Sequence, residues 1–154
     1  MVLVKPDGLQ RGLIGEIMSR FERKGLKLKG VKMVRMTREL LEKWYEQYKD
    51  EDFFDDIAEY MSWTPIVAMV WEGHSAIKVV RRIVGTRKGY EAEAGSIRGD
   101  LGMSGGNNLI HASDALETVE REMKIMFDKD EVFEYETVVE TLIYSADERK
   151  GVFR

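Results

Sequence analysis

The residues with chemistry to offer are few and gathered near glycines. The stretch Gly105–Asp114 reads GGNNLIHASD and ends an apolar segment on His111, one of 2 histidines in the 154-residue chain. Lys5 precedes Pro6 and Asp7 at another apolar segment's end, and Arg98 sits in GSIRGD. Together they supply cations for phosphate oxygens, backbone donors clear of side chains, and a nitrogen nucleophile. Phosphoryl transfer requires that inventory. An imidazole suits the nucleophile's part because the unperturbed ring is largely neutral near pH 7. Taken singly, a histidine at a strand end is most often structural, and a cation beside a glycine is most often surface.

Composition removes several other chemistries. The chain has no cysteine, which excludes disulfides, thiolate catalysis and cysteine–zinc centres. His74 and His111 are too far apart in sequence to suggest a histidine-rich metal site. There is no GxxxxGK[ST] or GxGxxG. The acidic run DEDFFDD lacks the glycine and oxygen spacing of a calcium loop and reads as a solvated helix face. A net charge of −4 argues against a dedicated nucleic-acid surface. The longest apolar run, near Pro65–Trp71, is far short of the roughly 20 residues of a membrane span. No signal peptide pattern opens the chain, so a cytoplasmic protein is expected.

The elements that must position these residues follow from periodicity. Val2–Val4 is a short buried strand ending in a Pro-Asp-Gly turn. Leu13, Ile14, Ile17, Met18 and Phe21 fall at helical spacing, with Gly25 past the end. Leu26 and Leu28 alternate with lysines, and Gly30 shifts the phase as a bulge would. Thr37 caps a helix whose stripe runs through Leu41, Trp44, Tyr45 and Tyr48. A second helix carries Phe53, Phe54, Ile57, Tyr60 and Met61 on one face. PIVAMVW is a strand covered on both sides. Ala76–Val84 is helical, and residues 85–106 form a long glycine-rich connection of a kind that tends to be functional. NLIHA is the last core strand, and Asp114 with Glu117 forms a capping box for the following helix. This alternation predicts a single-sheet α/β or α+β sandwich, with no interdomain linker in residues 1–154.

The set of motifs, in this order, resembles the nucleoside diphosphate kinase family. The residues that carry the resemblance are VKPDGLQRGLIGEIMSRFERKGLKL, PIVAMVWEG, GSIRGD and NLIHASD, the last similar to the family's N-x-x-H-x-S-D signature. It spans Val2 to Phe127, and residues 128–154 match loosely. It implies an α+β ferredoxin-like sandwich, a four-stranded antiparallel sheet covered by helices. It also implies γ-phosphate transfer between nucleoside triphosphates and diphosphates through a phosphohistidine on His111. By position, Glu122 would orient the imidazole and Tyr45 would lie close to it. Lys5 and Asn108 would meet the sugar and Lys5 a phosphate, Arg81 and Arg98 would hold phosphates, and Phe53 would stack on the base. Ser113 matches a family serine near the histidine, with a helix-capping role equally open. Tyr45, Phe53 and Glu122 have plainer alternatives as core or surface residues. Mg2+ bound mainly through nucleotide phosphates is the implied cofactor, and a homo-oligomer, hexamer or tetramer, the implied assembly.

Two departures from the family pattern stand out. In GTRKG, Thr86 follows Gly85 directly and Arg87 holds the usual threonine position, so Thr86, Arg87 or Lys88 could supply that phosphate contact. Glu51 and Asp52 replace a common Arg-Pro before the two phenylalanines, which should slow capture of a polyanion at low salt. The alternative to an enzyme is a catalytically silent nucleotide-binding or interaction scaffold of the same fold. Loss of His111, Lys5 or Asn108 would signal it, and all three are present.

Overall fold

Period-two alternation along the central strands divides the apolar residues between two faces of one sheet. In the computed structural model, which describes residues 1–149, the strands are β1 (Val2–Val4), β2 (Lys27–Val34), β3 (Ile66–Glu72) and β4 (Ile110–Ala112). They lie in the order β2-β3-β1-β4, and every pairing is antiparallel. Leu3, Ile66, Ala68 and Val70 point to one face, while Val2, Val4, Val67, Met69 and Trp71 point to the other. Both faces are covered, so β1 and β3 are buried almost throughout. The β2–β3 register shifts between Leu28 and Gly30, where the sequence predicted a bulge.

Helices cover each face. The first core contains residues from α3 (Arg38–Trp44), α4 (Phe54–Ser62) and α7 (Leu116–Met126). The second contains residues from α2 (Ile14–Arg23), α5 (Ala76–Val84) and α6 (Ile97–Leu101). Thr37 caps α3 by accepting the Leu40 N–H at 3.3 Å. This four-stranded antiparallel sheet with its helices is the α+β ferredoxin-like arrangement.

Several local expectations change. Pro6–Gly8 is not a turn but the start of α1 (Pro6–Gln10), with proline in the first helical turn, where its missing N–H has no cost. The stripe from Leu41 to Tyr48 breaks at Tyr45, and Glu46–Tyr48 continues as a tighter 3-10 turn. Residues 85–106 are not an unstructured connection: they hold a 3-10 turn at Gly89–Glu91 and all of α6. Asp114 and Glu117 form no capping box, because the N-cap of α7 is Ala115. Asp114 instead accepts from the Thr118 hydroxyl at 2.9 Å. Phe53 and Phe54 do not share a face: Phe54 is buried and Phe53 is 45% exposed.

The loosely matching tail lies along β2, an edge of the sheet. Lys27, Lys29 and Lys32 of β2 pair with Glu140, Glu134 and Glu131 of the tail. The Phe133 N–H donates to the Lys29 carbonyl at 2.8 Å, which occupies part of the open edge. Thr141–Tyr144, apolar by sequence, falls at α8 (Glu140–Ile143), followed by α9 (Ala146–Arg149). The end of the charged terminal segment, residues 150–154, lies outside the described residues.

Candidate active site

β4 carries His111 and α7 carries its partner. His111 is opposite Leu3 in the ladder, so it faces the core that contains Trp44, whose ring meets the imidazole edge-on at 5.3 Å between centroids. Packing of Val119, Met123 and Met126 fixes the rotation of α7 and turns Glu122 inward, where it is 2% exposed. His111 Nε2 lies 2.9 and 3.0 Å from the two Glu122 oxygens. A carboxylate accepts, so Nε2 carries the hydrogen and the lone pair sits on Nδ1. The Ser113 hydroxyl donates to Glu122 Oε2 at 2.6 Å, so Ser113 supports the carboxylate rather than capping a helix.

A second group of side chains is fastened to the loop before β4. Lys5 Nζ donates to Asn108 Oδ1 at 2.7 Å and to the Gly106 carbonyl at 3.3 Å. Asn108, 2% exposed, donates through Nδ2 to the carbonyls of Arg87 and Gly105 at 2.9 and 3.0 Å. Arg98 spends its guanidinium on three carbonyls: Gly85 at 3.0 Å, Asn108 at 3.2 Å and Ile110 at 2.5 Å. Arg98 therefore ties the end of α5 to the start of β4. Gly85 allows this approach with φ +84°, and a Cβ there would meet Ser96 Oγ at 2.4 Å.

The chain enters β4 through a strained turn. The Ile110 N–H donates to the Asn108 carbonyl at 2.8 Å, enclosing Leu109 at φ 71°. This γ-turn geometry is rare for a branched residue and costs roughly 1–3 kcal/mol. Leu109 is wholly buried, its N–H donates to Asp7 Oδ2 at 3.0 Å, and its carbonyl accepts the Lys5 N–H at 2.8 Å.

His111, Glu122, Lys5, Asn108 and Arg98 line one open cleft of about 1010 Å³. Lys5, Arg81, Arg87, Arg98 and Arg121 give it a positive interior, with His111 and Glu122 on its wall. Concentrated positive charge shows in the titration of the buried cations. Burial first, then the Arg98 guanidinium, lowers Lys5 to about 8. Burial first, then Arg81 and Arg87, lowers Arg98 to about 10. Burial and the Glu122 charge push the Tyr45 phenol up to about 12, so it stays a neutral hydroxyl.

All the sequence-predicted residues line this cleft: His111, Glu122, Tyr45, Lys5, Phe53, Arg81, Thr86, Arg98 and Asn108. Arg81 faces it and donates to the Ala112 carbonyl at 3.4 Å, while Arg82 lies along a different surface groove. Of the three candidates in GTRKG, Thr86 and Arg87 line the cleft and Lys88 does not. His74 is exposed and remote from the cleft. Sequence reasoning missed Asp7, Tyr60 and Arg121. Asp7 was absorbed into a presumed turn, Tyr60 into a helix stripe, and Arg121 had only its adjacency to Glu122 as a signal. No group of three or more His, Cys, Asp or Glu able to hold a metal occurs among the described residues.

Known proteins resemble the chain along most of its length. A family model described as "Nucleoside diphosphate kinase" matches residues 1–132. A nucleoside diphosphate kinase of Staphylothermus marinus is 50% identical over 135 residues, 88% of this chain and 96% of the relative. One from Ignicoccus hospitalis is 50% identical over 133 residues, 86% of this chain and 90% of the relative. Among solved structures, a halophilic nucleoside diphosphate kinase from Halobacterium salinarum in complex with CDP aligns with a TM-score of 0.88 at 42% identity. That alignment covers 94% of this chain and 96% of the other. A family member from Babesia bovis aligns with a TM-score of 0.89 at 43% identity, covering 93% and 97%.

Proposed function

The chain belongs to the nucleoside diphosphate kinase family, and from that premise we propose how its cleft performs the transfer. It is a phosphotransferase acting between nucleoside triphosphates and diphosphates. His111 is the nucleophile. Its Nδ1 lone pair attacks the γ-phosphorus, a P–N bond forms as the P–O bond to the β-phosphate breaks, and the diphosphate leaves with that electron pair. A second diphosphate then takes the phosphoryl group by the reverse step, restoring the imidazole. The single observation that carries this reading is the His111–Glu122 contact, at 2.9 and 3.0 Å on Nε2. It fixes the tautomer and stabilises positive charge developing on the ring.

The remaining roles follow from charge and shape. Arg81 and Arg98 meet phosphate oxygens, and Thr86 with Arg87 adds the donors that GTRKG supplies at the cleft. Lys5 reaches the sugar hydroxyl and a phosphate. Asn108 Oδ1, already accepting from Lys5, has a second lone pair for the sugar. Phe53, exposed at the mouth and 5.6 Å from the Tyr48 ring, stacks on a base without reading its edge. Tyr45 offers a neutral hydroxyl beside His111. Lys5, Arg81, Arg87 and Arg98 suit the phosphates of a nucleotide, and Mg2+ would be held there mainly by those phosphates and water. When bound it neutralises phosphate charge. CDP in the Halobacterium relative supports a nucleoside diphosphate as ligand.

We take residues 1–154 as a single catalytic domain, and among the described residues the tail meets β2 through Glu131, Phe133, Glu134 and Glu140. The assembly is a homo-oligomer, hexamer or tetramer, consistent with exposed Val31 and Met33 on that edge strand. The protein works in the cytoplasm, and among the described residues no helix is long and apolar enough to cross a membrane.

The test is incubation with Mg2+ and ATP labelled on the γ-phosphate, without acceptor. An acid-labile, base-stable adduct on His111, discharged by any added nucleoside diphosphate, is the expected result. Nucleotide binding with no adduct would refute it.

A further inference from the structure

The residues that hold Leu109 in its left-handed turn all come from one short stretch more than a hundred positions away. The Lys5 N–H binds the Leu109 carbonyl at 2.8 Å, and Asp7 Oδ2 accepts the Leu109 N–H at 3.0 Å. Asp7 Oδ1 accepts the Tyr60 hydroxyl at 2.6 Å, which fixes the carboxylate from the other side. Gly8 leaves room for the turn: a Cβ there would come within 2.9 Å of the Leu109 carbonyl oxygen and 2.7 Å of Val4 Cγ1. The segment after β1 is thus shaped around one strained residue. That residue joins Asn108, whose amide bridges Lys5 to the loop, to the strand that carries His111.

We propose that Asp7 is a positioning residue for phosphoryl transfer, acting through Leu109 rather than on the nucleotide. By binding the Leu109 N–H it keeps the γ-turn formed. That sets the spacing between the sugar- and phosphate-facing Lys5–Asn108 pair and the His111 imidazole. Tyr60 is part of the same device because it immobilises Asp7. The inference rests on the reading of His111 as nucleophile.

Its signature is a dependence on the residue at 109. Glycine adopts positive φ without strain, so a chain with Leu109→Gly has no need of Asp7 to hold the turn. The rate of His111 phosphorylation at saturating Mg2+–ATP is measured in single turnover for the wild type, D7A, L109G and the double variant. D7A is expected to slow this step by about tenfold to a hundredfold, the range set by releasing one strained residue. In the L109G background the same substitution should cost no more than about threefold, a non-additivity that a merely structural role does not produce. An equal factor in both backgrounds, or a D7A rate within about twofold of wild type, overturns the proposal.

Amide exchange supplies a test that does not depend on L109G folding well. In Asp7→Ala, which removes the acceptor, the Leu109 amide should exchange about tenfold faster or more, while the Leu3 amide at the sheet centre is unchanged. Equal change at both amides, or none at Leu109, overturns it. A wild type that forms no adduct on His111 would instead refute the nucleophile assignment, so the two failures are distinguishable.

Discussion

The floor and the rim of the cleft are built on different principles. On the floor, Asn108 and Glu122 are each 2% exposed, and Lys5, Asn108 and Arg98 are each held by two or three hydrogen bonds to backbone carbonyls or to one another. On the rim, Phe53 is 45% exposed, and Arg81, Thr86 and Arg87 are exposed as well. Arg81 and Arg87 each touch one carbonyl at the long distance of 3.4 Å. The floor is preorganised for a step that must be the same for every substrate. The rim has room to settle around different bases and phosphates. Substitutions at His111 and Glu122 should therefore lower the rate of transfer, and substitutions of groups that meet the incoming nucleotide, at the rim and at Lys5, should change its capture.

The largest expected effect lies at the centre of the floor. His111→Ala should reduce transfer by on the order of a thousandfold or more, because no other group can carry the phosphoryl. Binding of a nucleoside diphosphate, measured by calorimetry, should stay within about threefold. A loss of binding comparable to the loss of rate would erase the distinction between floor and rim.

Next is Glu122→Gln, which keeps shape but removes charge. The amide presents either N–H or oxygen to Nε2 and no longer selects one tautomer. A charge-assisted hydrogen bond is worth about 1.5–3 kcal/mol, so a slowing of roughly tenfold to 150-fold follows, with KM little changed. An unchanged rate would move the imidazole's orientation to Trp44 packing alone.

Lys5 gives a smaller effect with a sign that can be worked out. Its folded value, about 8, lies below the ordinary 10.5, so the folded chain releases its proton first. Between those values the unfolded chain holds more protons, and this group's contribution to stability rises with pH. Nucleotide affinity moves the opposite way, because the neutral amine no longer attracts phosphate. From pH 7.5 to 9.5, affinity for a nucleoside diphosphate should fall by about tenfold, and Lys5→Arg should flatten the slope. Affinity that holds level over that range would take Lys5 out of phosphate recognition.

The same contrast explains what the sequence made legible. The amphipathic elements were readable because each buries one periodic face, and Val2–Val4, Ile66–Glu72 and the helix caps at Thr37 and Gly25 follow from local pattern. The cleft's membership was readable through motif order. How the floor is locked was not. Leu109 at φ 71° contradicts its own propensity and is held by Asp7, Lys5 and a burial site that only the fold assembles. That Arg98, besides its expected phosphate role, closes the loop through three carbonyls could not be read, because those carbonyls come together only in the fold. Asp114 and Glu117 had a capping pattern, but α7 takes Ala115 as its N-cap and Asp114 bonds Thr118 instead. Phe53 and Phe54 were adjacent members of one stripe until the helix start placed only the second inside.

The smallest expected effect isolates the rim. Glu51 and Asp52 are exposed, immediately before Phe53, and place negative charge beside the entrance a polyanion must use. Neutralising both, as E51Q/D52N, should raise the rate of His111 phosphorylation at limiting nucleotide by about two- to threefold in roughly 0.01 M salt, where screening extends over about 30 Å. The gain should vanish near 1 M salt, where screening falls to about 3 Å, and the saturating rate should not move at either extreme. Floor variants should behave in the opposite way, because Glu122 and its partners meet inside solvent-poor contacts that salt barely reaches. Stopped-flow measurements across the salt range for both kinds of variant put the two regions on one axis. A rim gain that survives high salt would mean that Glu51 and Asp52 act through local contacts at the mouth, and the division between a fixed floor and a diffusely steering rim would fail there.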